Sequence, residues 1–431
     1  MIIIFPNSPH ARLKGTTKAI KEGGDMDEII IDKGCGLDVH KGAVVACVMG
    51  EGIKKEIRTF STMTEDLFGL KSWLLDKGIT HVAMESTGPY WKPVFNVLED
   101  SFEVILANAR HIKNVPGRKT DVKDSEWICK LLRSGLLAAS FVPPRAIREL
   151  RDLTRYRRKL TEAISSEKNR VQKVLEDANV KISSVVSDTF GVSASRMIEA
   201  ILAGNLNPEA ISDLAVGKLK GKKAELKKAL VGNFQEHHRF MIQASLDHIG
   251  SLEKIIAGLD QEINRKLKDY HREFELLQTI PGVKEQGAAS IIAEIGADMD
   301  IFPSEGHLSA WAGMSPGNNE SAGKKKSGKT THGNKNLRAI LTQCAWAASR
   351  TKNTYLSAKY YSLVGRRGKK RALIAVGHKI LIMVYYILKT GMPYKELGKD
   401  YLSRRREDKI VKGHIKRLKD LGYEVTLNKA A

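Results

Sequence analysis

No two cysteines stand at Cys-x-x-Cys spacing. Cys35, Cys47, Cys129 and Cys344 are the full set of four, each inside an apolar stretch. That pattern excludes a zinc ribbon and a disulfide framework and leaves buried thiols in a reducing cytosol. No charged segment precedes the short apolar start over residues 1–5, so a secretory signal is not indicated. Residues 1–30 read as an N-terminal extension, with Met26 as an alternative start. The longest apolar run of the C-terminal part, Ile380 to Leu388, is too short to span a bilayer. Acidic residues are scarce beside basic ones: 49 Asp and Glu against 71 Lys and Arg, a formal charge of +22. Such an excess calls for a polyanionic partner, nucleic acid first. The basic residues are spread along helices and a glycine-rich loop rather than gathered on one amphipathic anchor, which sets a membrane surface aside. A soluble cytoplasmic protein is expected.

A chain of 431 residues is too long for one core. From Gly34 the pattern reads strand, turn, strand, turn, strand (CGLDVH, AVVACVM, KKEIRTF), an antiparallel meander broken at Lys41-Gly42 and Gly50-Glu51-Gly52. A helix over 65–76, a strand over 80–86, a helix near 90–98, a strand over 103–109 and a helix over about 121–134 follow. The order βββαβαβα with a mixed sheet is the α/β RNase H-like (RuvC-like) plan, expected over 31–145 with its last helix continuing to about 185.

After Pro143-Pro144 the composition turns to charged helix, rich in arginine from Arg145 to Arg158. Leu252, Ile256, Leu259, Ile263, Leu267, Tyr270, Phe274 and Leu277 recur at nearly heptad spacing, so the 146–276 region is expected to pair helices. The partner is either the 146–178 helix of the same chain or a second copy in a coiled coil. The polar helices over 184–240 carry no further message. From Leu277 a mainly α domain is expected to run to 431, opening on a helix-hairpin-helix-like Pro281-Gly282-Val283 turn suited to a phosphate and ending in a basic tail.

Four acids stand out. Asp38 lies in mid-strand, where a charge is costly unless paired or bound to metal. Glu85 ends the fourth strand, which neighbours the first in this plan. Asp121 and Asp124, spaced i, i+3, project from one helix face. Taken singly, Asp121 is an ordinary first-turn acid and Glu85 an ordinary cap. Together they form a hard oxygen set suited to Mg²⁺, including a two-metal site for phosphodiester chemistry.

From Trp311 to Arg338 the chain reads WAGMSPGNNESAGKKKSGKTTHGNKNLR. This predicts a flexible cationic loop in which Lys324, Lys325, Lys326, Lys329, Lys335 and Arg338 approach phosphates; Arg155 and Arg158 are further candidates for nucleic acid. Ser315, Ser321 and Ser327 are each a possible nucleophile, and composition does not choose among them. There is no local Ser-His-Asp arrangement, and His332 suits a phosphate contact equally well.

The strings LDVHK, MESTGPYW and KTDVKD, then the PGV turn, the serine loop and a final HIKRLKDLGY, resemble the bridge-RNA-guided DEDD transposases of the IS-one-ten and IS-eleven-eleven insertion sequences. The likeness covers about residues 34–424; pilin-gene DNA invertases look similar. It implies a RuvC-like site of Asp38, Glu85, Asp121 and Asp124, and a separate domain in which Ser321 is the serine nucleophile that forms a phosphoserine link. It further implies double-stranded DNA as substrate, a noncoding guide RNA, and a dimer or tetramer. The alternatives are a RuvC-type Holliday-junction nuclease that uses water, a site-specific invertase, and a binding protein whose acids are structural.

Overall fold

The computed structural model describes residues 30–426, except 87, 110–111, 113–123, 318, 322–323 and 328. The chain divides into two compact units, 1–142 and 143–431.

In the first unit β1 (Lys33–Val39), β2 (Ala43–Gly50) and β3 (Ile53–Ser61) form the expected meander, followed by α1 (Thr64–Asp76), β4 (His81–Glu85), α2 (Trp91–Leu98), β5 (Glu103–Ala107) and α3 (Asp124–Arg133). The five strands lie in the order β3-β2-β1-β4-β5. The first three pair antiparallel, and β1, β4 and β5 run parallel. Gly52 takes a φ of 71° between β2 and β3, a turn conformation that glycine adopts without strain. β1 is central and buried on both faces, hence its nearly unbroken apolar run. One face packs Leu37, Val44, Val82 and Met84 against Leu70, Leu74 and Leu98 of α1 and α2. The other packs Ala83, Ile105 and Ala107 against Trp127, Ile128 and Leu131 of α3. This mixed sheet, followed by a mostly helical remainder, is consistent with an RNase H-like domain.

The second unit opens with α4 (Arg145–Asp177), followed by α5 (Val192–Leu202), α6 (Pro208–Ser212), α7 (Lys223–Ala229) and α8 (Glu236–Leu267). α4 packs along α8, and ion pairs fix the two as antiparallel neighbours. Glu149 meets Lys266 at 2.6 Å and Arg157 meets Asp260 at 2.5 Å, while farther along Glu167 meets His248 at 3.3 Å and Asp177 meets His238 at 3.0 Å. The heptad stripe thus finds its partner inside the chain, with Leu252, Ile263 and Leu267 buried. The stripe does not continue as one helix, because a 3-10 turn over Lys268–Tyr270 separates α8 from α9 (His271–Gln278). At the far end of the pair, residues about which the sequence said little build a small core of their own: Leu175, Ile182, Met197, Ile198, Ile211, Leu226 and Ile242.

Beyond α9 come α10 (Glu285–Ile295), α11 (Glu305–Trp311), the short strands β6 (Asn319–Ser321) and β7 (Lys324–Ser327), α12 (Lys335–Arg350), α13 (Tyr355–Arg367), α14 (Lys369–Thr390) and α15 (Tyr401–Asp420). Gly282, φ 86°, joins α9 to α10. A Cβ there would meet Cys344 O at 2.4 Å and Ala348 N at 2.5 Å, so this glycine seats the turn against α12. The apolar run read as Ile380 to Leu388 belongs to the longer α14, which by length and composition could cross a membrane. Its Val376, Ile380, Leu381, Val384 and Tyr385 are instead buried within the unit, as in the core helix of a folded domain.

Candidate catalytic site and serine hairpin

The parallel register of β1 and β4 pairs Gly36 with Ala83 and Leu37 with Met84. One step further, Asp38 stands level with Glu85. Strand alternation assigns their side chains to the face that also carries Gly36 and Ala83, the face covered by α3. Glycines on β1 set the course of that helix. A Cβ at Gly34 would meet Leu132 and Arg133, at the end of α3, whereas one at Gly36 would meet Ser125 O at 2.2 Å and Cys129 N at 2.4 Å, in its first turns. α3 therefore runs opposite to β1, and its N-terminal end, where Asp124 is the first residue, lies toward Asp38. The helix N-terminus favours negative charge at that spot.

Asp38 is partly buried, with 28% of its side chain exposed, and one carboxylate oxygen lies 3.1 Å from His40 Nε2. His40 was not singled out from the sequence; its position two residues along the same strand face was the available signal. Glu126, also in the first turn of α3, faces away: Lys130 at 2.8 Å and Lys55 at 3.3 Å engage it. Its carboxyl is held below the usual range, chiefly by the Lys130 hydrogen bond. Asp121 lies outside the described residues. Of the four acids, Asp38, Glu85 and Asp124 are described; their ligand atoms do not form a group within 4.8 Å of one another, and carboxylate oxygens of this kind suit a hard divalent cation such as Mg²⁺.

Among the described residues, the group of three ligand atoms within 4.8 Å of one another is Asp177, His237 and His238. His238 there is already committed. Its Nδ1 accepts from Gln235 N at 3.0 Å and its Nε2 faces Asp177 at 3.0 Å, so it serves as a helix cap and not as a metal ligand.

Within the cationic segment, expected as a flexible loop, the described residues include a two-stranded ribbon. β6 and β7 pair antiparallel, with Ser321 opposite Lys324 and Asn319 opposite Ser327. Gly317 N donates to Lys329 O at 2.9 Å, and Pro316 bridges Thr330. At the root the backbones of Gly313 and Gly333 touch, since a Cβ on Gly333 would meet Gly313 N at 2.2 Å. Arg338 clamps both ends, donating to Gly313 O at 2.6 Å and Thr331 O at 2.7 Å. Lys329 and Lys335 are exposed. The side chains of Ser321 and of Lys324 to Lys326 fall outside what is described.

Besides Arg338, two further candidate phosphate ligands are engaged within the protein. Arg158 pairs with Glu162 at 2.9 Å and donates to Asn336 at 3.4 Å. Arg155 gives two donors, each at 2.7 Å, to the carboxylate of Glu294, which is 1% exposed. Arg151 donates to the carbonyls of Ala293 and Glu294 at 3.0 and 2.6 Å. Burial brings its guanidinium down to about 10, offset by the Glu294 charge, so it stays charged at neutral pH. Glu294 was missed in the sequence, although an acid inside the apolar run AASIIAEIG must have a partner.

Residues 35–180 match the DEDD-type IS110 transposase family, a span that includes Asp38, Glu85, Asp121 and Asp124. Residues 274–362 match the family described as Transposase IS116/IS110/IS902, a span that includes Ser321. A Sinorhizobium fredii protein named as a transposase, y4pF/y4sB, is 28% identical over 142 residues, 31% of this chain and 36% of that protein. The match thus spans about a third of the length of this relative.

Proposed function

From a chain that carries transposase domains of the IS110 family, we propose a DNA transposase that cuts and rejoins the strands of an insertion sequence. Asp38, Glu85, Asp121 and Asp124 hold Mg²⁺, and Ser321 is the nucleophile. What supports the acid site is the parallel register of β1 and β4, which continued by one residue sets Asp38 beside Glu85, on the face where α3 begins with Asp124. A two-metal site of this kind stabilises charge on the attacking and leaving oxygens of a phosphodiester.

Ser321 Oγ gives up its proton and bonds to phosphorus, one P–O ester bond breaks, and the departing deoxyribose oxygen takes up a proton. Rejoining reverses these steps with a new strand end. Its place on a ribbon closed at the root, opposite Lys324, suits a nucleophile that must approach a polyanion in a fixed orientation. The net charge of +22 supports a nucleic-acid partner; double-stranded DNA, an element-encoded noncoding guide RNA and a dimer or tetramer are what the family resemblance implies.

The test is Ser321→Ala in the full chain, incubated with Mg²⁺ and a labelled duplex made from the DNA flanking the coding sequence. Covalent protein–DNA adducts should disappear while binding persists. Adducts that survive refute the serine assignment, and protein-free cut ends from the unaltered chain would point to water as nucleophile.

A further inference from the structure

We propose that Glu294 is a positioning residue for the serine ribbon, acting through Asn334 to fix the ribbon's root in the C-terminal domain. The proposal rests on Ser321 as nucleophile for its consequence in catalysis, but not for the anchoring itself.

The chain of contacts is continuous. Glu294 is buried near the end of α10 and held by Arg155 through two hydrogen bonds, so its carboxylate is fixed in position and orientation. One of those oxygens also accepts from Asn334 Nδ2 at 2.6 Å. The other end of the same amide, Asn334 Oδ1, caps α12 by accepting from Asn336 N at 3.0 Å and Leu337 N at 3.1 Å. Asn334 therefore does two things at once: it begins α12 and ties that beginning to Glu294. Its neighbour Gly333 is one half of the glycine contact with Gly313, and Arg338, one turn into α12, clamps Gly313 and Thr331. Any rotation of the start of α12 is passed directly to both feet of the ribbon. Since a displacement of about 1 Å in a reacting group can cost on the order of 10²-fold in rate, a carboxylate remote from the reacting atoms has leverage over Ser321.

The decisive variant is Asn334→Asp. Aspartate is as good a helix cap as asparagine, so α12 still starts, but the donor to Glu294 is replaced by a second carboxylate. The expected result is that amide hydrogen exchange in the 313–333 peptide accelerates at least tenfold, and adduct formation with the flanking-DNA duplex falls at least tenfold. Because two adjoining carboxylates share a proton more readily as pH falls, the ratio of Asn334→Asp to wild-type adduct rate should rise from pH 8 to pH 6.

Unchanged exchange in the 313–333 peptide overturns the anchoring. Faster exchange with adduct formation within twofold of wild type overturns the positioning role. If Ser321→Ala still forms adducts, the nucleophile assignment falls, and the exchange result alone decides whether Glu294 anchors the ribbon.

Discussion

Gly36 offers the sharpest test of how the acid site is assembled. It lies on β1 two residues before Asp38, under the carbonyl of Ser125 and the amide of Cys129, the two groups that close one turn of α3. In Gly36→Ala the new methyl would sit 2.2 Å from the first and 2.4 Å from the second, against an ordinary separation of about 3.5 Å or more. Neither is a side chain that can swing aside, so the start of α3 must lift by about 1 Å. Overpacking of this kind costs about 1–3 kcal/mol, here at the upper end, which in a unit of this size corresponds to a fall in melting temperature of roughly 5–10 °C. The same lift moves Asp124 away from Asp38 and Glu85, and Mg²⁺-dependent strand cleavage should fall on the order of 10²-fold. Gly34→Ala is the control: on the same strand face its methyl would meet only side-chain atoms, Leu132 Cδ2 at 3.1 Å and Arg133 Cγ at 3.3 Å. It should cost under about 1 kcal/mol, within reach of local adjustment. Thermal melts and cleavage of a labelled duplex, run on both variants, decide the matter. If Gly36→Ala melts and cuts like Gly34→Ala, the close approach of α3 does not build the site.

Asp38→Asn and Glu85→Gln should each abolish Mg²⁺-dependent cleavage with little change in melting temperature, since each substitute keeps the size of the acid and one hydrogen-bonding oxygen; a melt more than a few degrees lower would mark a structural role. Arg155→Ala leaves a buried carboxylate without its main partner and should cost about 3–5 kcal/mol, whereas Arg158→Ala, on a partly exposed pair, should cost under about 1 kcal/mol. A salt-dependent loss of DNA affinity in Arg155→Ala with no fall in melting temperature would return that residue to phosphate binding. Asp260 is held below its usual carboxylate value chiefly by its hydrogen bonds from Arg157. The lowered folded value means that the pair stabilises the protein above pH about 4 and loses that contribution as pH falls through the lowered value. Asp260→Asn should therefore flatten the acid limb of a stability–pH curve, and an unchanged limb would show the pair contributes nothing.

The β-sheet was legible because its signals are local: alternation, paired turn glycines, and an acid standing in mid-strand at Asp38. The course of α3 could be read only as far as its apolar face, since its depth depends on Gly36 meeting a helix some 90 positions later in the chain. The ribbon of Ser321 was not legible at all. Its glycines and lysines have no apolar alternation, and what orders it is contact between Gly313 and Gly333 together with the Arg338 clamp. Arg155 was misleading for a similar reason. An arginine-rich helix looks like a phosphate-binding surface until its partner is known, and Glu294 is 139 residues away. The heptad stripe announced that α8 needed a companion, but only the ion-pair ladder identifies it as α4.

The fastening of α4 at Glu294 also bears on motion. α4 has 33 residues, so at a rise of about 1.5 Å each it is an arm of about 50 Å, held near its beginning by Arg151 and Arg155 and carrying the small helical core at its other end. A tilt of about 5° about Arg155 would sweep that core, roughly 33 Å farther along α4, through about 3 Å, by the same rise per residue. The salt bridge is thus a fulcrum: a force applied to the distant core arrives at Glu294 with mechanical advantage, next to the amide that holds the feet of the serine ribbon.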